Sequence, residues 1–358
     1  MKNPENLVRK VIQDMPLINW SEPKIDDIRL IYGENIVGLS DKIKVKIKEQ
    51  LSKDVEFSNL YTVDKTKELS EKLAEKNKVN VNQIVIGNGI DDLLKVVCQT
   101  FIDSGDEAIV IDPSYRFYDT MTLVQGGTVK TVSLKNDFSL DINDILEKIT
   151  PKTKIIFIAN PNNPTGNILL SNEKISELCS KFNGVVVIDE CYHGISEQTA
   201  LPIVEKHNNL IIARSFSKSY AMAGLRLGYL IANEKLSKYM NSLINNLETF
   251  RVNRIVCSTG IILLDNEKET ISKLKETKKV FYEKLKTIEN VKVYPSETTF
   301  FMIELKGNAC DLKSKLEKHR IIIKDCSMFP SLGKNTAVIG IPKNKDIDFV
   351  IEKLKESI

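Results

Sequence analysis

Ser215-Phe216-Ser217-Lys218-Ser219-Tyr220-Ala221-Met222-Ala223-Gly224-Leu225-Arg226-Leu227-Gly228 sets one lysine and one arginine eight residues apart, directly after the apolar run Leu210-Ile211-Ile212-Ala213. That run reads as a buried strand. A lysine at the end of a buried strand gives up its proton more readily, because a low dielectric disfavours the charged form. The neutral amine is the nucleophile that forms an imine with an aldehyde. Lys218 is the candidate for that role. Arg226, returning across the turn, brings a planar fork suited to a phosphate. A single lysine among 51 basic residues is ordinarily a solvated surface charge, so the reading depends on what the rest of the chain sets beside it.

On both sides of this stretch, short apolar runs alternate with helical patterns. Ile84-Val85-Ile86, Ala108 to Ile111, Val129 to Leu134, Ile155 to Ile158, Val185 to Ile188, Leu210 to Ala213 and Tyr229 to Ile231 read as strands, with helices near Asp91, Phe117 and Glu173 between them. Continuous apolar strands separated by helices indicate an α/β fold, a mainly parallel sheet covered on both faces. Ligands on such sheets collect at the carboxyl ends of the strands. A charged, helix-rich segment then leads to Val291-Lys292-Val293, Thr299 to Leu305, Ile321 to Ile323 and Ala337 to Ile341, a second and smaller α+β set. The expected organisation is an arm at 1–40 that also joins the smaller domain, a large ligand-binding domain at 41–254 and a small domain at 255–358. In the arm, Leu7, Val11 and Ile12 suggest a short amphipathic helix, and Pro16 to Pro23 is an irregular segment carrying Trp20. Asp41 is the expected cap of a helix running to Leu51.

Composition narrows the classes of partner. Across 358 residues, 51 basic against 48 acidic side chains are interspersed and leave a net charge of +3, with no block of either sign to hold nucleic acid or a membrane surface. A small-molecule partner is favoured. Six scattered cysteines without a C-x-x-C pair suit free thiols in a reducing cytoplasm. The charged start lacks the apolar core of a signal peptide, and no run is long enough to cross a bilayer.

Five further strand ends carry chemistry. Gly87-Asn88-Gly89-Ile90-Asp91-Asp92 opens a helix, so the backbone N–H groups of Gly89, Ile90 and Asp91 could cradle a phosphate; a tight turn capped by aspartate is the alternative, and a dinucleotide fingerprint fits poorly because Asp92 stands where its third glycine should be. Asn160-Pro161-Asn162-Asn163-Pro164-Thr165-Gly166 is a loop stiffened by two prolines, which lets Asn163 present its amide to a ligand oxygen. Asp189 ends an apolar strand and needs a partner to stay ionised there, either the backbone it caps or a protonated heteroaromatic nitrogen. Tyr192 could donate to a phenolate oxygen on the same ring. Tyr115, in Pro113-Ser114-Tyr115, could stack on that ring or pack the rim. An imine-forming lysine, an acid for a pyridinium, donors for a phenolate, a stacking aromatic and a phosphate cup are together what pyridoxal 5′-phosphate requires.

With those motifs in place, the chain resembles the fold-type I pyridoxal-phosphate enzymes, specifically the class I/II aminotransferases and, among them, the branch of histidinol-phosphate aminotransferases and threonine-phosphate decarboxylases. Gly33-Glu34-Asn35-Ile36-Val37-Gly38-Leu39-Ser40 is similar to that branch's N-terminal segment. The resemblance implies that Lys218 is the Schiff-base lysine, Asp189 the ring-nitrogen partner and Asn163 and Tyr192 the phenolate ligands. It further implies phosphate ligands at Gly89, Ile90, Asp91, Ser215, Ser217 and Arg226, stacking by Tyr115, and a homodimer in which Tyr61 reaches the partner's phosphate. The family's late arginine for a substrate carboxylate, in an Arg-Ile-Thr-Val-Gly context, is replaced: the matching residues are Thr336-Ala337-Val338-Ile339-Gly340. Asn35, Thr336 and a relocated cation, Arg251 or Lys324, are the substrate-binding candidates. The expected reaction is amino transfer between an anionic, phosphorylated amino compound and a keto acid, with decarboxylation of a phosphorylated amino acid as the alternative.

Overall fold

The apolar runs between residues 84 and 232 join into one seven-stranded sheet in the computed structural model, which describes residues 4–16, 24–248 and 250–358. After β1 (Ile28–Arg29) in the arm come β2 (Ile84–Gly87), β3 (Glu107–Asp112), β4 (Thr128–Ser133), β5 (Thr153–Ala159), β6 (Val185–Asp189), β7 (Leu210–Ser215) and β8 (Gly228–Ala232). Their order across the sheet is β2-β8-β7-β6-β5-β3-β4. β8 runs antiparallel to both β2 and β7, and the remaining pairs are parallel. β6 and β7 are buried at every position. The reason is two-sided packing: Val186, Ile188, Leu210 and Ile212 join one core with Leu69, Ile175 and Val256, while Val185, Val187, Ile211 and Ala213 join another with Leu94, Val97 and Met240. A strand buried on both faces has no polar alternate positions, hence the unbroken apolar runs.

β9 (Val291–Val293), β10 (Phe300–Leu305), β11 (Ile321–Ile322), β12 (Lys324–Asp325) and β13 (Thr336–Gly340) follow. Four of them form an antiparallel sheet in the order β12-β13-β10-β9, and β11 pairs in parallel with β1. The arm thus enters the second core, where Leu30 packs with Ile321, Ile339 and residues of the helices Glu267–Leu285, Ala309–Glu317 and Ile347–Ser357.

Three expectations need restating. The helix expected to begin with Asp41 as its cap spans Asp41–Val55, and Ser40 is the cap, its side chain accepting from the Ile43 amide. The helix Arg254–Asp265 lies beyond the expected boundary at 254, yet Val256, Cys257, Leu263 and Leu264 pack into the larger core; we place the passage to the smaller unit within Glu267–Leu285, whose Ile271, Leu274 and Phe281 belong to the second core. The N-terminal amphipathic stretch forms a turn at Pro4–Leu7 and a short helix at Lys10–Gln13, with Leu7 and Ile12 exposed. Arg9 ties it down by donating to the Val124 carbonyl at 2.7 Å. Trp20 lies outside the described residues.

One buried ion pair fastens the larger core. Glu190 and Arg214 meet at 2.9 Å, each with 1% of its side chain exposed. Arg214 also donates to Asn77 and Thr199, and Glu190 accepts from Thr199 and the Ala200 amide. Removing one partner strands a buried charge, which costs about 3–5 kcal/mol. Glu190→Gln is therefore expected to lower the unfolding free energy by about that amount in urea titration, with near-native circular dichroism below the transition.

Candidate active site

The chemistry-bearing loops leave one edge of the large sheet. β3, β5, β6 and β7 point the same way, and β2 does too because it is antiparallel to β8, which is antiparallel to β7. Gly228 at the start of β8 stands opposite both Gly87 and Ser215. Arg226, two residues before Gly228, is therefore returned to the edge from which Lys218 departs.

Lys218 donates from Nζ to the Tyr32 carbonyl at 2.5 Å. Burial holds its amine below the ordinary 10.5, which enlarges the neutral, nucleophilic fraction at any given pH. Arg226, in a left-handed conformation at φ +56°, donates to Ser217 Oγ and the Ala223 carbonyl, each at 3.2 Å, and meets Asp91 Oδ2 at 3.2 Å. Ser215 Oγ accepts from the Ser217 amide at 3.1 Å. Across from them the helix Ile90–Phe101 begins, with its first-turn N–H groups unused by the helix itself. Gly89 precedes it at φ +83°, and a Cβ there would stand 2.6 Å from Arg226 Nη2. A Cβ on Gly228 would lie 2.9 Å from the Gly89 carbonyl carbon and 3.1 Å from the Ile90 amide nitrogen. Two glycines thus keep a cup open between a helix N-terminus, an arginine and two serines.

Asp189 closes β6, 5% exposed, and pairs with no basic side chain among the described residues. Its oxygens accept from the Cys191 amide at 2.9 Å and from Tyr118 Oη at 2.7 Å. Burial raises its carboxyl above the usual range, against the pull of those donors. Tyr118 escaped the sequence reading; it lies in the first turn of the helix Phe117–Val124, just after the strand end that carries Tyr115. Tyr118 stacks on Phe157 at 4.9 Å and stands edge-on to Tyr115, whose own hydroxyl donates to Asp91 at 2.7 Å. One face of Tyr115 is covered by Phe117.

The three asparagines of the proline loop divide their labour. Asn160 binds the Leu170 carbonyl and the Leu169 amide, and Asn162 binds Ser114, the Pro113 carbonyl and Thr165. Asn163 is half-buried and has no hydrogen-bond partner among the described residues. Tyr192 is buried edge-on against Phe300, and its hydroxyl likewise has no protein partner.

The substrate candidates fare differently. Asn35 is committed to structure, its amide donating to the Ser219 carbonyl and its oxygen accepting from the Gly38 amide. Arg251 does not present a free cation: its side chain is buried between Asp92 at 2.5 Å and Glu248 at 3.0 Å, and its carbonyl accepts from Asn88 of the cup loop. Arg254 and Arg320 are likewise paired, with Asp64 and Asp27. Thr336 is buried with its hydroxyl donating to the Leu332 carbonyl at 3.1 Å, so it neither replaces the missing arginine nor faces a ligand as a donor. Lys324 remains. It is half-buried over the Phe329 ring at 5.9 Å, and burial lowers its amine. Phe329 packs in one cluster with Tyr192, Phe300 and Val338. Tyr61 is 80% exposed and stacked on Phe250 at 4.7 Å, outside the cluster around Lys218.

These residues fit a flat, cationic-ring phosphate compound on structural grounds alone. A buried carboxylate without a cation wants one, the cup is open only as glycine, and a low-pKa amine lies between them.

The comparisons agree with the geometry. Residues 25–339 match the model of the class I and II aminotransferase family. Histidinol-phosphate aminotransferase of Methanocaldococcus jannaschii is 31% identical over 338 residues, 93% of this chain and 90% of that protein. The enzyme of the same name from Methanosphaera stadtmanae is 32% identical over 340 residues, 92% and 90% respectively. In fold, the crystal structure of histidinol-phosphate aminotransferase from Sinorhizobium meliloti in complex with pyridoxal-5′-phosphate superposes with a TM-score of 0.84 at 21% identity, covering 98% of this chain and 97% of that one. L-threonine-O-3-phosphate decarboxylase from Porphyromonas gingivalis gives 0.76 at 24%, covering 92% and 98%.

Gly89→Ala is expected to close the cup through the Cβ contact with Arg226 and the unfavourable positive φ. The measurable outcome is a rise of about tenfold or more in the dissociation constant for pyridoxal phosphate, equivalent to about 1.4 kcal/mol, together with a lower melting temperature of the cofactor-free protein from the strained positive φ.

Proposed function

This chain belongs to the class I and II aminotransferases and is a pyridoxal-phosphate-dependent transferase, and from that premise we propose that it moves an amino group from a small anionic amine to a keto acid. The observation that carries the reading is the meeting, on one sheet edge, of the Lys218 amine, the uncompensated carboxylate of Asp189 and the glycine-lined cup. In this reading Gly89, Ile90 and Asp91 hold the phosphate through their amides, aided by Ser215, Ser217 and Arg226. Asn163 and Tyr192, whose polar ends lack protein partners, bind the phenolate oxygen, and Tyr115 covers the ring. Asp189, held in place by Tyr118, keeps the ring nitrogen protonated. Bound there, pyridoxal phosphate supplies the electron sink that lets the amine-bearing carbon release a proton. Lys218 Nζ is the amine that would hold the cofactor's aldehyde and the base that would take that proton and return it.

Lys324 is our candidate for the substrate's anionic group, since it is a cation beside the Tyr192 and Phe300 cluster with no ion-pair partner among the described residues. The relatives named for histidinol phosphate support a phosphate as that group. Tyr61, exposed and stacked on Phe250, is available to a second copy of the chain, in keeping with a homodimer. The six cysteines are unbridged, as a reducing cytoplasm would leave them, and no helix among the described residues is long and apolar enough to cross a membrane. One observation favours decarboxylation as a second reading: the inward-turned Thr336 removes the fork that would otherwise grip a carboxylate.

A spectral screen of the cofactor-loaded enzyme against histidinol phosphate, phosphoserine, phosphothreonine and glutamate tests the assignment. Amino transfer predicts loss of the aldehyde-form absorbance with histidinol phosphate and its recovery with a keto acid. Carbon dioxide released from phosphothreonine without a keto acid would favour the second reading instead. Lys324→Ala is expected to raise the KM for the phosphorylated amine about tenfold or more, the worth of a charge-assisted hydrogen bond, with a smaller change in kcat. Arg251→Ala should act differently, weakening cofactor binding, because the Arg251 side chain braces Asp92, whose other oxygen accepts from the Asn88 amide of the cup loop.

A further inference from the structure

The chain passes from the larger core to the second across a sharp joint. Asn266 alone separates the helix Arg254–Asp265, packed in the larger core, from Glu267–Leu285, which enters the second. Lysines of the larger unit meet three consecutive residues there: Lys72 reaches Asp265 at 2.6 Å, Lys46 donates to Asn266 Oδ1 at 3.0 Å, and Lys76 donates to Glu267 Oε2. Their helices, Asp41–Val55 and Asp64–Asn77, are anchored in the larger core by Ile43, Leu69 and Leu73.

The other oxygen of Glu267 accepts from Tyr220 Oη. Tyr220 stands two residues after Lys218 and is 2% exposed, its ring stacked on Phe216 at 4.5 Å. Packing uses the ring, and a phenylalanine would fill the same space. The hydroxyl serves the joint. Burial raises the phenol, so it stays protonated and donates. Lys218, Ser219 and Tyr220 are in this way tied to three separate parts of the chain. Lys218 donates to the Tyr32 carbonyl of the arm, and the Ser219 hydroxyl donates to the His193 carbonyl in the loop after β6. Tyr220 reaches the first residue of the helix that carries the second core. The last two ties converge, since a Cβ on Gly194 would stand 2.5 Å from Ile271 Cδ1 of that same helix. A hydroxyl bound to a carboxylate is among the stronger hydrogen bonds, so the tie through Tyr220 is a firm one.

We propose that Tyr220 is a positioning residue: by binding Glu267 it holds the segment bearing Lys218 to the joint between the two units, and so keeps the amine in place between the cup and Asp189. The inference rests on the transferase reading for the role of Lys218. Loosening the tie admits water to the amine, and the burial that favours its neutral form is partly lost. A hydroxyl with a merely structural role would change stability and leave that amine alone.

Competitive acetylation of the full-length, cofactor-free chain with isotopically labelled acetic anhydride, followed over pH by peptide mass, gives a titration midpoint for each lysine. Wild type, Tyr220→Phe, Glu267→Ala, Glu267→Gln and the double variant Tyr220→Phe/Glu267→Ala are compared. Cys191, Glu34, Asp91 and Arg226, the groups whose charge acts on Lys218, stay in place in all of them. Tyr220→Phe and Glu267→Ala are each expected to raise the Lys218 midpoint by about one pH unit, leaving about tenfold less neutral amine at a pH below it. The double variant should match the single ones, because both remove one bond. Glu267→Gln, which keeps an acceptor oxygen, should fall between them and wild type. Lys278 and Lys324, whose amines burial also lowers, should keep their wild-type midpoints. A Lys218 midpoint unmoved in both single variants, or one that moves together with those of Lys278 and Lys324, overturns the proposal. If wild-type Lys218 forms no borohydride-stable adduct with pyridoxal phosphate, the transferase reading itself fails and takes this proposal with it.

Discussion

The site depends on one strand running against its neighbours. β8 lies antiparallel between β2 and β7, so Gly228 faces Gly87 on one side and Ser215 on the other. The chain that leaves β7 with Ser217 and Lys218 must turn and come back to the same edge to begin β8, and Arg226 is the residue it brings back. The cup helix starts just past Gly87 on that edge as well. Lysine, arginine and helix N-terminus are thus juxtaposed by hydrogen-bond register. No loop has to be long or mobile to assemble them.

The same edge shows how a core tolerates two adjacent acids. Asp189 and Glu190 leave the end of β6 in opposite directions. Glu190 finds Arg214, Thr199 and the Ala200 amide, so its charge is fully compensated inside the protein. Asp189 receives the Tyr118 hydroxyl and the amide and thiol of Cys191, all neutral donors, and burial pushes its carboxyl up. One acid completes the fold and the other is left for a cation from outside. The contrast between Asn162 and Asn163 repeats the pattern, with one amide saturated by Ser114, Pro113 and Thr165 and its neighbour unpartnered.

Much of this was legible in the sequence, for a physical reason. Two-sided burial leaves unbroken apolar runs, so the ends of those runs locate the edge, and Lys218, Asp189, Asn163 and Gly89 all stand at such ends. What could not be read were pairings made between distant segments. Arg251 looked like a free cation until Asp92, 159 residues away, was found against it. Tyr118 reads as one more apolar helix residue until its hydroxyl is placed against Asp189, 71 residues on. The replacement at Thr336 was visible, but not that its hydroxyl turns to Leu332. Burial and partner identity are tertiary facts, and a single sequence encodes them only through the fold.

A depressed amine pKa does not by itself choose the catalytic lysine. Burial also lowers Lys278, to about 8, and Lys324; Lys218 is distinguished by its place between the cup and Asp189. Borohydride reduction of the pyridoxal-phosphate-treated protein, followed by peptide mapping, tests that claim directly. The account predicts one stable pyridoxyl group, on Lys218. A group on Lys278 or Lys324 instead, or none on any lysine, would contradict it.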